Sequence, residues 1–275
     1  MRILVTGGSG RLGKFVLREL ADHAHEVTNL DVRRPDEHRE GIRTILGDAA
    51  RMEDAYGALS YTRAEALVHL AAWSDPGFVA ESRTFSDNCA ATFNLLDVCA
   101  RLEIGRAVVA SSAQVYGFAE HAPSYAPVDE EHPLRPLNSY ALSKICGEQV
   151  AQYFADRTAL RVATFRIMGA RAPEDLDDEI AQLKTASPEV GRFLLWNRTD
   201  ARDVARACRL ALEAPTMPCG IYNITAARNA TGEQSAALLT RHCPDTSIVR
   251  EIPGTTSLMS CRKAYDDFGY AAVHR

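Results

Sequence analysis

Residues 1–13, MRILVTGGSGRLG, decide the fold of this chain. An apolar run at positions 3–5 leads directly into a turn with glycine at 7, 10 and 13, and the apolar residues that follow have helical spacing. A strand, a glycine turn and a helix in this order bind the pyrophosphate of a dinucleotide, because glycine lets the backbone approach the phosphates and the helix N-terminus attracts an anion. The spacing G-x-x-G-x-x-G differs from the G-x-G-x-x-G of two-domain dehydrogenases. An ordinary glycine turn is the alternative interpretation.

The composition is that of an ordinary globular chain. Its 275 residues are 46% hydrophobic and 24% charged, with a formal net charge of −5, which disfavours nucleic acid and anionic membranes as partners. No apolar run approaches the roughly 20 residues that span a bilayer. The first strand begins at residue 2 or 3, so we expect no signal or transit peptide. The seven cysteines form no C-x-x-C pair and the eight histidines lack metal-ligand spacing, which predicts free thiols, no metal and a cytoplasmic location.

Strands and helices alternate along the first part of the chain. Short apolar runs predict strands at 25–30, 42–46, 66–70, 107–110 and 161–166, and longer periodic segments predict helices at 86–103 and 138–157. Nearly continuous apolar strands that alternate with helices are typical of an α/β fold with a doubly wound parallel sheet, covered on both faces. Ligands of such a sheet bind at the carboxyl ends of its strands.

The pattern changes after residue 170. Residues 173–178 are acidic and loop-like, 200–213 and 231–241 have helical patterns, and 221–225 reads as a strand. We therefore expect a dinucleotide-binding core over residues 1–170. Residues 171–275 are expected to form a small C-terminal substrate-binding lobe that is interleaved with the core.

Acidic residues follow the second and third predicted strands. Asp31 lies about 20 residues past the glycine turn, where a carboxylate accepts the ribose hydroxyls of adenosine and repels a 2′-phosphate, so NAD is favoured over NADP. Arg33 and Arg34 could instead pair with that phosphate, which keeps NADP as the less favoured alternative. Asp48 could accept a hydrogen bond from the adenine amine, or could simply be a turn aspartate.

The segment NSYALSK contains the candidate chemical groups Tyr140 and Lys144. On a helix these residues are four apart and share a face, and an ammonium beside a phenol favours the phenolate. Such a tyrosine can exchange a proton with a substrate hydroxyl while a hydride moves to or from nicotinamide. Y-x-x-x-K also occurs by chance on solvated helices. Here the fifth strand ends nearby in Ser111-Ser112, and Ser112 can hydrogen-bond the same substrate oxygen.

The ordered motifs resemble those of the extended short-chain dehydrogenase/reductases, the NAD-dependent epimerase/dehydratase family of sugar-nucleotide enzymes. The resemblance runs through TGGSGRLG at 6–13, GDA at 47–49, HLAA at 69–72, NCAATFNLL at 88–96, SSAQVYG at 111–117, YALSK at 140–144, RDVARA at 202–207, IYNIT at 221–225 and a final FGY. It implies a Rossmann-type fold and a homodimer that pairs the helices at 86–103 and 138–157, whose excess of apolar residues points the same way.

The resemblance also implies roles for individual residues. The implied catalytic triad is Ser112, Tyr140 and Lys144. The implied cofactor-binding residues are Gly7, Gly10, Arg11, Leu12, Gly13, Asp31, Arg33, Asp48, Ala49, Leu70, Ala71, Ala72, Asn88, Tyr140 and Lys144. The expected substrate residues are Ser111, Ser112, Ala113, Gln114, Arg166 and Met168.

The chain departs from the family pattern in its substrate half. Ala113 and Gln114 replace the acidic pair of the dehydratases, so dehydratase activity is disfavoured. The usual R-x-x-N-x-x-G-P segment is RIMGAR here and lacks the asparagine that contacts a nucleotide-sugar. With the short segment after FGY, this predicts a reduced substrate lobe, as in the uronate dehydrogenases, which oxidise a free sugar acid. Arg166 or Arg171 could pair with its carboxylate, although Arg171 could equally be a surface arginine.

Three functions remain open from the sequence. The first is an NAD-dependent oxidoreductase that acts on a sugar or sugar-derivative hydroxyl, with tyrosine-based proton transfer and hydride transfer to nicotinamide. The second is a nucleotide-sugar epimerase that retains its NAD tightly. The third is a catalytically silent NAD-binding regulatory protein, against which the presence of Ser112, Tyr140 and Lys144 argues.

Overall fold

The computed structural model describes residues 1–37, 39–74, 77–185 and 188–274. The strands of this part are β1 (Arg2–Thr6), β2 (Glu26–Asp31), β3 (Arg43–Leu46), β4 (Ala66–His69), β5 (Arg106–Ser112), β6 (Tyr125–Ala126), β7 (Arg161–Ile167), β8 (Ala170–Arg171), β9 (Thr199–Asp200), β10 (Gly220–Ile224) and β11 (Ser247–Ile248). The helices are α1 (Gly13–Asp22), α2 (Met52–Tyr61), α3 (Glu81–Arg101), α4 (Ser139–Arg157), α5 (Pro173–Thr185), α6 (Ala201–Glu213), α7 (Ser235–His242) and α8 (Arg262–Phe268).

Seven strands form one parallel sheet in the order β10-β7-β5-β4-β1-β2-β3. Thr6 at the end of β1 lies opposite Leu30 of β2 and His69 of β4, while Ser112 of β5 lies opposite Ile167 of β7. The register therefore brings the carboxyl ends of the strands to one edge, where the residues that follow them can share a site. The predicted doubly wound parallel sheet is confirmed.

Helices cover both faces of the sheet. Ile3 and Val5 of β1 pack in one buried cluster with α1, α6 and α8, whereas Leu4 between them packs in a second cluster with α2, α3 and α4. Successive side chains of a strand point to opposite faces, so an unbroken apolar strand supplies both cores at once. A third buried cluster, which includes Tyr116 and Trp196, lies in the region around β6, α7 and residues 252–259.

The prediction of a loop at 173–178 is wrong, because α5 begins at Pro173. Proline suits the first helical position, and Glu174 and Asp175 in the first turn face the positive end of the helix dipole. The same acidic residues that suggested a solvated loop are therefore typical of a helix start. Two other boundaries shift as well, since α3 begins at Glu81 and α7 at Ser235.

The second half of the chain completes the core. Strand β10 pairs with β7 at the edge of the sheet, and α6 packs beside α1. The division at residue 170 into a core and a substrate lobe stays a prediction. No helix within the described ranges is both long enough and apolar enough to cross a lipid bilayer.

Candidate active site

A cavity of about 760 Å³ opens along the carboxyl edge of the sheet. Its lining includes Asp31 at the end of β2, Asp48 after β3, the glycine turn, Ser112 at the end of β5 and Tyr140 in the first turn of α4. All predicted cofactor residues line it, and so do the predicted substrate residues at 111–114. The fold thus brings together groups as far apart in the chain as Gly7 and Lys144, in a cavity large enough for a whole cofactor.

The glycine turn is built by close backbone approach. Gly7 has φ +74°, a conformation that favours glycine, and its N–H donates to the carbonyl of Leu30 at 3.0 Å. A Cβ on Gly13 would lie 2.1 Å from the Gly7 oxygen. A Cβ on Gly10, by contrast, would have only the Gly7 oxygen, at 3.1 Å, within 4 Å among the described residues that are not its chain neighbours. The space above the turn is therefore open.

Helix α1 starts directly after this turn. Its N-cap residue, Leu12, has an apolar side chain that makes no capping hydrogen bond to the first turn. The positive end of the helix dipole and the open turn therefore form a cradle for an anion. These features fit the pyrophosphate of a dinucleotide.

Asp31 is held at the end of β2 by two backbone N–H groups. Its Oδ2 accepts from Ser9 at 3.0 Å, and its Oδ1 accepts from Arg33 at 3.1 Å. Each carboxylate oxygen can accept a second hydrogen bond, so Asp31 can still hold ribose hydroxyls. Asp48 also lines the cavity, but its Oδ1 accepts from the N–H of Ala50 at 2.9 Å. Asp48 therefore has the geometry of a turn aspartate as well as a place at the cavity.

The predicted proton-transfer groups meet near the first turns of α4. The Nζ atom of Lys144 donates to the carbonyl oxygen of Ala110 at 2.8 Å and lies 5.6 Å from the centroid of the Tyr140 ring. Burial lowers the pKa of Lys144 to about 8. Ser112 is the last residue of β5, and its Oγ accepts a hydrogen bond from the N–H of Gln114 at 3.2 Å. This bond caps the N-terminus of the 3-10 helix Ala113–Tyr116. The structure thus places Ser112, Tyr140 and Lys144 at one cavity.

Arg166 does not reach this cavity, and its predicted role in substrate binding is wrong. It is 3% exposed, and its guanidinium forms two bonds to the carboxylate of Glu148, Nε to Oε1 at 2.9 Å and Nη2 to Oε2 at 2.7 Å. Its Nη1 donates to the hydroxyl of Tyr116 at 3.0 Å and to the carbonyl of Glu130 at 2.8 Å. A strand residue points to one face only, and here that face is the side of α4.

Two further substrate predictions are corrected in part or in full. Met168 is fully buried in the third cluster and is wrong as a substrate residue. Ser111 lines the cavity, but its hydroxyl donates to Oε1 of Glu148 at 2.6 Å, on the side away from Ser112. Arg171 does line the cavity, where its Nε donates to Glu179. Glu179 also accepts from Nε of Arg198 at 2.7 Å.

Several cavity residues were missed in the sequence. They are Trp73, Ser74, Asp87, Asp175, Glu179, Phe193 and Leu194. Trp73 follows HLAA at the end of β4, so its place at the carboxyl edge was a usable signal. Asp175 lies in the segment 173–178 that the sequence predicts as a loop, and Glu179 directly follows that segment in α5.

The sequence matches the model of the NAD dependent epimerase/dehydratase family over residues 3–225. The chain belongs to this family. The predicted membership, and with it the prediction of an NAD-dependent type of enzyme, is confirmed.

Three relatives illustrate the range of the family. L-arabinose 1-dehydrogenase (NAD(P)(+)) of Haloferax volcanii is 30% identical over 236 residues, which are 82% of this chain and 88% of that protein. Uronate dehydrogenase of Pseudomonas syringae pv. tomato is 27% identical over 74% of this chain and 76% of that protein. A short-chain dehydrogenase/reductase superfamily protein from Agrobacterium tumefaciens, solved with bound NAD, has the same fold with a TM-score of 0.74, 23% identity and coverage of 99% and 93%.

Similarity to UDP-glucose 4-epimerases is shorter. Alignments with three of these proteins span 60% of this chain and only 48% to 54% of the epimerases themselves. The alignment with a fourth UDP-glucose 4-epimerase, of Lactobacillus helveticus, spans 71% of this chain and 63% of that protein. The matches therefore cover 76% to 88% of the two dehydrogenases and 48% to 63% of the four epimerases.

Proposed function

We propose that this family member is an NAD-dependent dehydrogenase that oxidises a hydroxyl group of a free sugar or sugar acid. The observation that carries the proposal is that Ser112, Tyr140 and Lys144 line the same cavity as Asp31, with Nζ of Lys144 5.6 Å from the centroid of the Tyr140 ring. The match through 88% of an L-arabinose dehydrogenase supports a free sugar over a nucleotide-sugar. Ala113 and Gln114 carry no acid that could protonate a leaving hydroxyl, which disfavours a dehydratase.

The cavity residues divide the work of holding NAD. The turn at Gly7, Gly10 and Gly13 would take the pyrophosphate, and Asp31 the adenosine ribose. The carboxylate of Asp31 favours NAD over NADP, although Arg33 beside it also lines the cavity. When bound, NAD supplies the acceptor for the two electrons that leave the substrate carbon.

The protein's own groups handle the proton. Ser112 Oγ would hold the substrate oxygen by a hydrogen bond, and the phenolate form of Tyr140 would take the proton from that oxygen. The Lys144 cation near the Tyr140 ring favours the phenolate. Because the pKa of Lys144 lies at about 8, this cation persists at neutral pH. Removal of a positioned proton-transfer group costs about 10²–10⁴ in rate.

An epimerase with tightly held NAD remains the second candidate function. The similarity to UDP-glucose 4-epimerases supports it, and the same three side chains could serve that reaction. Mass spectrometry of the purified protein distinguishes the two, because an epimerase of this kind is expected to retain NAD through purification.

A homodimer and a cytoplasmic location complete the proposal. Phe93, Leu142 and Tyr153 are exposed apolar residues of α3 and α4, as expected of a helical interface between two copies. All seven cysteines are free thiols in the structure, which suits a reducing compartment.

The proposal is tested by following NADH formation with L-arabinose, D-glucuronate and UDP-glucose. For the oxidised free sugar, Tyr140→Phe should lower kcat by about 10²–10⁴ and leave the Kd of NAD unchanged. Lys144→Ala should impair both quantities. Tyr56→Phe, at an exposed tyrosine of α2, is the control and should match the wild type. Oxidation of UDP-glucose alone, or a Tyr140→Phe enzyme within a few-fold of wild type, would refute the proposal.

A further inference from the structure

Trp73 is a large aromatic side chain that lines the cavity without belonging to a core. It lies on the connection between β4 and α3 and lines the same cavity as Tyr140. The described residues that make up the three buried clusters, or pack against them, do not include it. Its indole therefore has apolar surface inside the cavity that a ligand can cover.

Polar contacts hold the indole in one orientation. Its Nε1 donates to Oδ2 of Asp87 at 2.9 Å, and the guanidinium carbon of Arg83 lies 5.4 Å from its ring centroid. The side chain of Asn88 forms two hydrogen bonds to the backbone of Trp73. Its Oδ1 accepts from the Trp73 N–H at 2.9 Å, and its Nδ2 donates to the Trp73 carbonyl oxygen at 3.2 Å. The indole N–H already has a protein partner, so the ring offers mainly carbon surface to the cavity.

The same contacts tie Trp73 to the proton-transfer residues. Nδ2 of Asn88 donates to Oγ of Ser143 at 3.0 Å, and this Oγ donates to the carbonyl of Tyr140 at 2.7 Å. Ser143 directly precedes Lys144 on α4. The position of the indole is therefore set relative to the groups that would act on the substrate hydroxyl.

We propose that Trp73 determines specificity by supporting the apolar C–H face of a cyclic sugar whose hydroxyl is held at Ser112 and Tyr140. A sugar ring carries hydroxyls at its edge and C–H groups on its faces, so it needs a flat apolar wall and polar groups in one cavity. Gln114 supplies a second polar group there, with its Oε1 accepting from Nδ2 of Asn138 at 3.3 Å. This inference rests on the proposed function and names the surface that selects a ring.

Steady-state kinetics with L-arabinose and D-glucuronate test the proposal. Trp73→Ala should raise KM of the oxidised sugar by about 5- to 100-fold, with a smaller change in kcat, if the sugar face gains as much from the indole as a stacked nucleobase does. Trp73→Phe should restore KM to within about threefold of wild type. The Kd of NAD, from calorimetry, should stay within about twofold, because the ring holds the sugar.

Phe78→Ala is the matched control. Phe78 is an aromatic residue of the same connection, is 71% exposed and lies outside the cavity lining, so its loss should leave KM unchanged. An unchanged KM in Trp73→Ala would overturn the proposal. So would an equal loss of NAD affinity, which would assign the ring to the cofactor.

Tryptophan fluorescence gives a readout that needs no turnover. The chain has two tryptophans, and Trp196 is fully buried in the third cluster. Titration of NAD-loaded Tyr140→Phe with L-arabinose, D-glucuronate or UDP-glucose should change the emission of Trp73, and the change should vanish in Tyr140→Phe/Trp73→Phe. A response to UDP-glucose alone would refute the proposed function but would still support a sugar-binding role of Trp73. No response to any of the three sugars would refute that role.

Discussion

Burial of the Lys144 cation lowers the stability of the fold, although the same cation is expected to assist proton transfer at Tyr140. Its ammonium is buried, with the Ala110 carbonyl at 2.8 Å and the Tyr140 ring beside it, and no carboxylate of the described residues forms an ion pair with it. A buried cation costs free energy because water solvates charge better than protein does. Residues that carry such a cost are typical of functional sites, and the cost is the reason for its low pKa.

Lys144→Met should therefore stabilise the cofactor-free protein at neutral pH. The folded-state pKa of about 8 lies below the ordinary value of 10.5, so the unfolded chain binds more protons between these values. The lysine penalty is full below about pH 8 and fades as pH rises toward 10.5. The variant should be more stable by at most about 3 kcal/mol near pH 7, with a smaller difference near pH 10.

Urea unfolding of both proteins across this pH range measures the difference. Subtraction of the two curves removes the titration of cysteines and tyrosines that the proteins share. A difference that is the same at both ends of the range would contradict the assignment.

At the scale of elements, one buried ion pair fastens α4 to the sheet. The bidentate bonds between Arg166 of β7 and Glu148 of α4 are joined by the Ser111 hydroxyl of β5. Glu148 lies one helical turn after Lys144, so this pair sets how α4 sits against β5 and where Tyr140 and Lys144 face the cavity. The arginine that resembles a carboxylate-binding group is a structural cation.

Removal of one partner should be far worse than removal of both. Arg166→Met should destabilise the protein by about 3–5 kcal/mol, because it leaves Glu148 buried without its cation. Arg166→Met/Glu148→Leu should recover most of that loss in urea unfolding. Arg101→Met, which breaks an exposed pair with Asp97 on α3, is the control and should cost less than about 1 kcal/mol. A double variant as unstable as the single one would contradict this view of the pair.

At the scale of the whole molecule, the notable surface feature is a group of exposed apolar side chains on α3 and α4. Helices α3 and α4 pack side by side, and Phe93, Leu142 and Tyr153 on them are 44% to 49% exposed. Both helices also carry residues of the cavity, Asn88 on α3 and Tyr140 on α4. A second copy bound to this surface would cover apolar area and brace the helices that position the site.

Light scattering tests this interface. We expect the wild type to have twice the 30.1 kDa mass of one chain at micromolar concentration. Leu142→Glu places a charge in the interface and should give the single-chain mass, while Val249→Glu, at an exposed valine elsewhere, should not. A wild-type mass of one chain would remove the dimer from the proposal.

Sequence reasoning succeeded where the signal is local. Periodicity and turn chemistry predict the strand, turn and helix of residues 1–22, the place of Asp31 at the end of β2, and the shared face of Tyr140 and Lys144. It failed at α5, where acidic residues are equally compatible with a loop and with the first turn of a helix.

The sequence by itself determined the parallel α/β fold, the family, and a set of residues from Gly7 to Lys144 that line one cavity. Only the tertiary structure decided that Arg166 pairs with Glu148, that Ser111 faces the same carboxylate, and that Trp73 lines the cavity. The physical reason is range. Backbone conformation responds to neighbours within a few residues, whereas a long polar or aromatic side chain takes its partner from whatever the packed fold brings within reach.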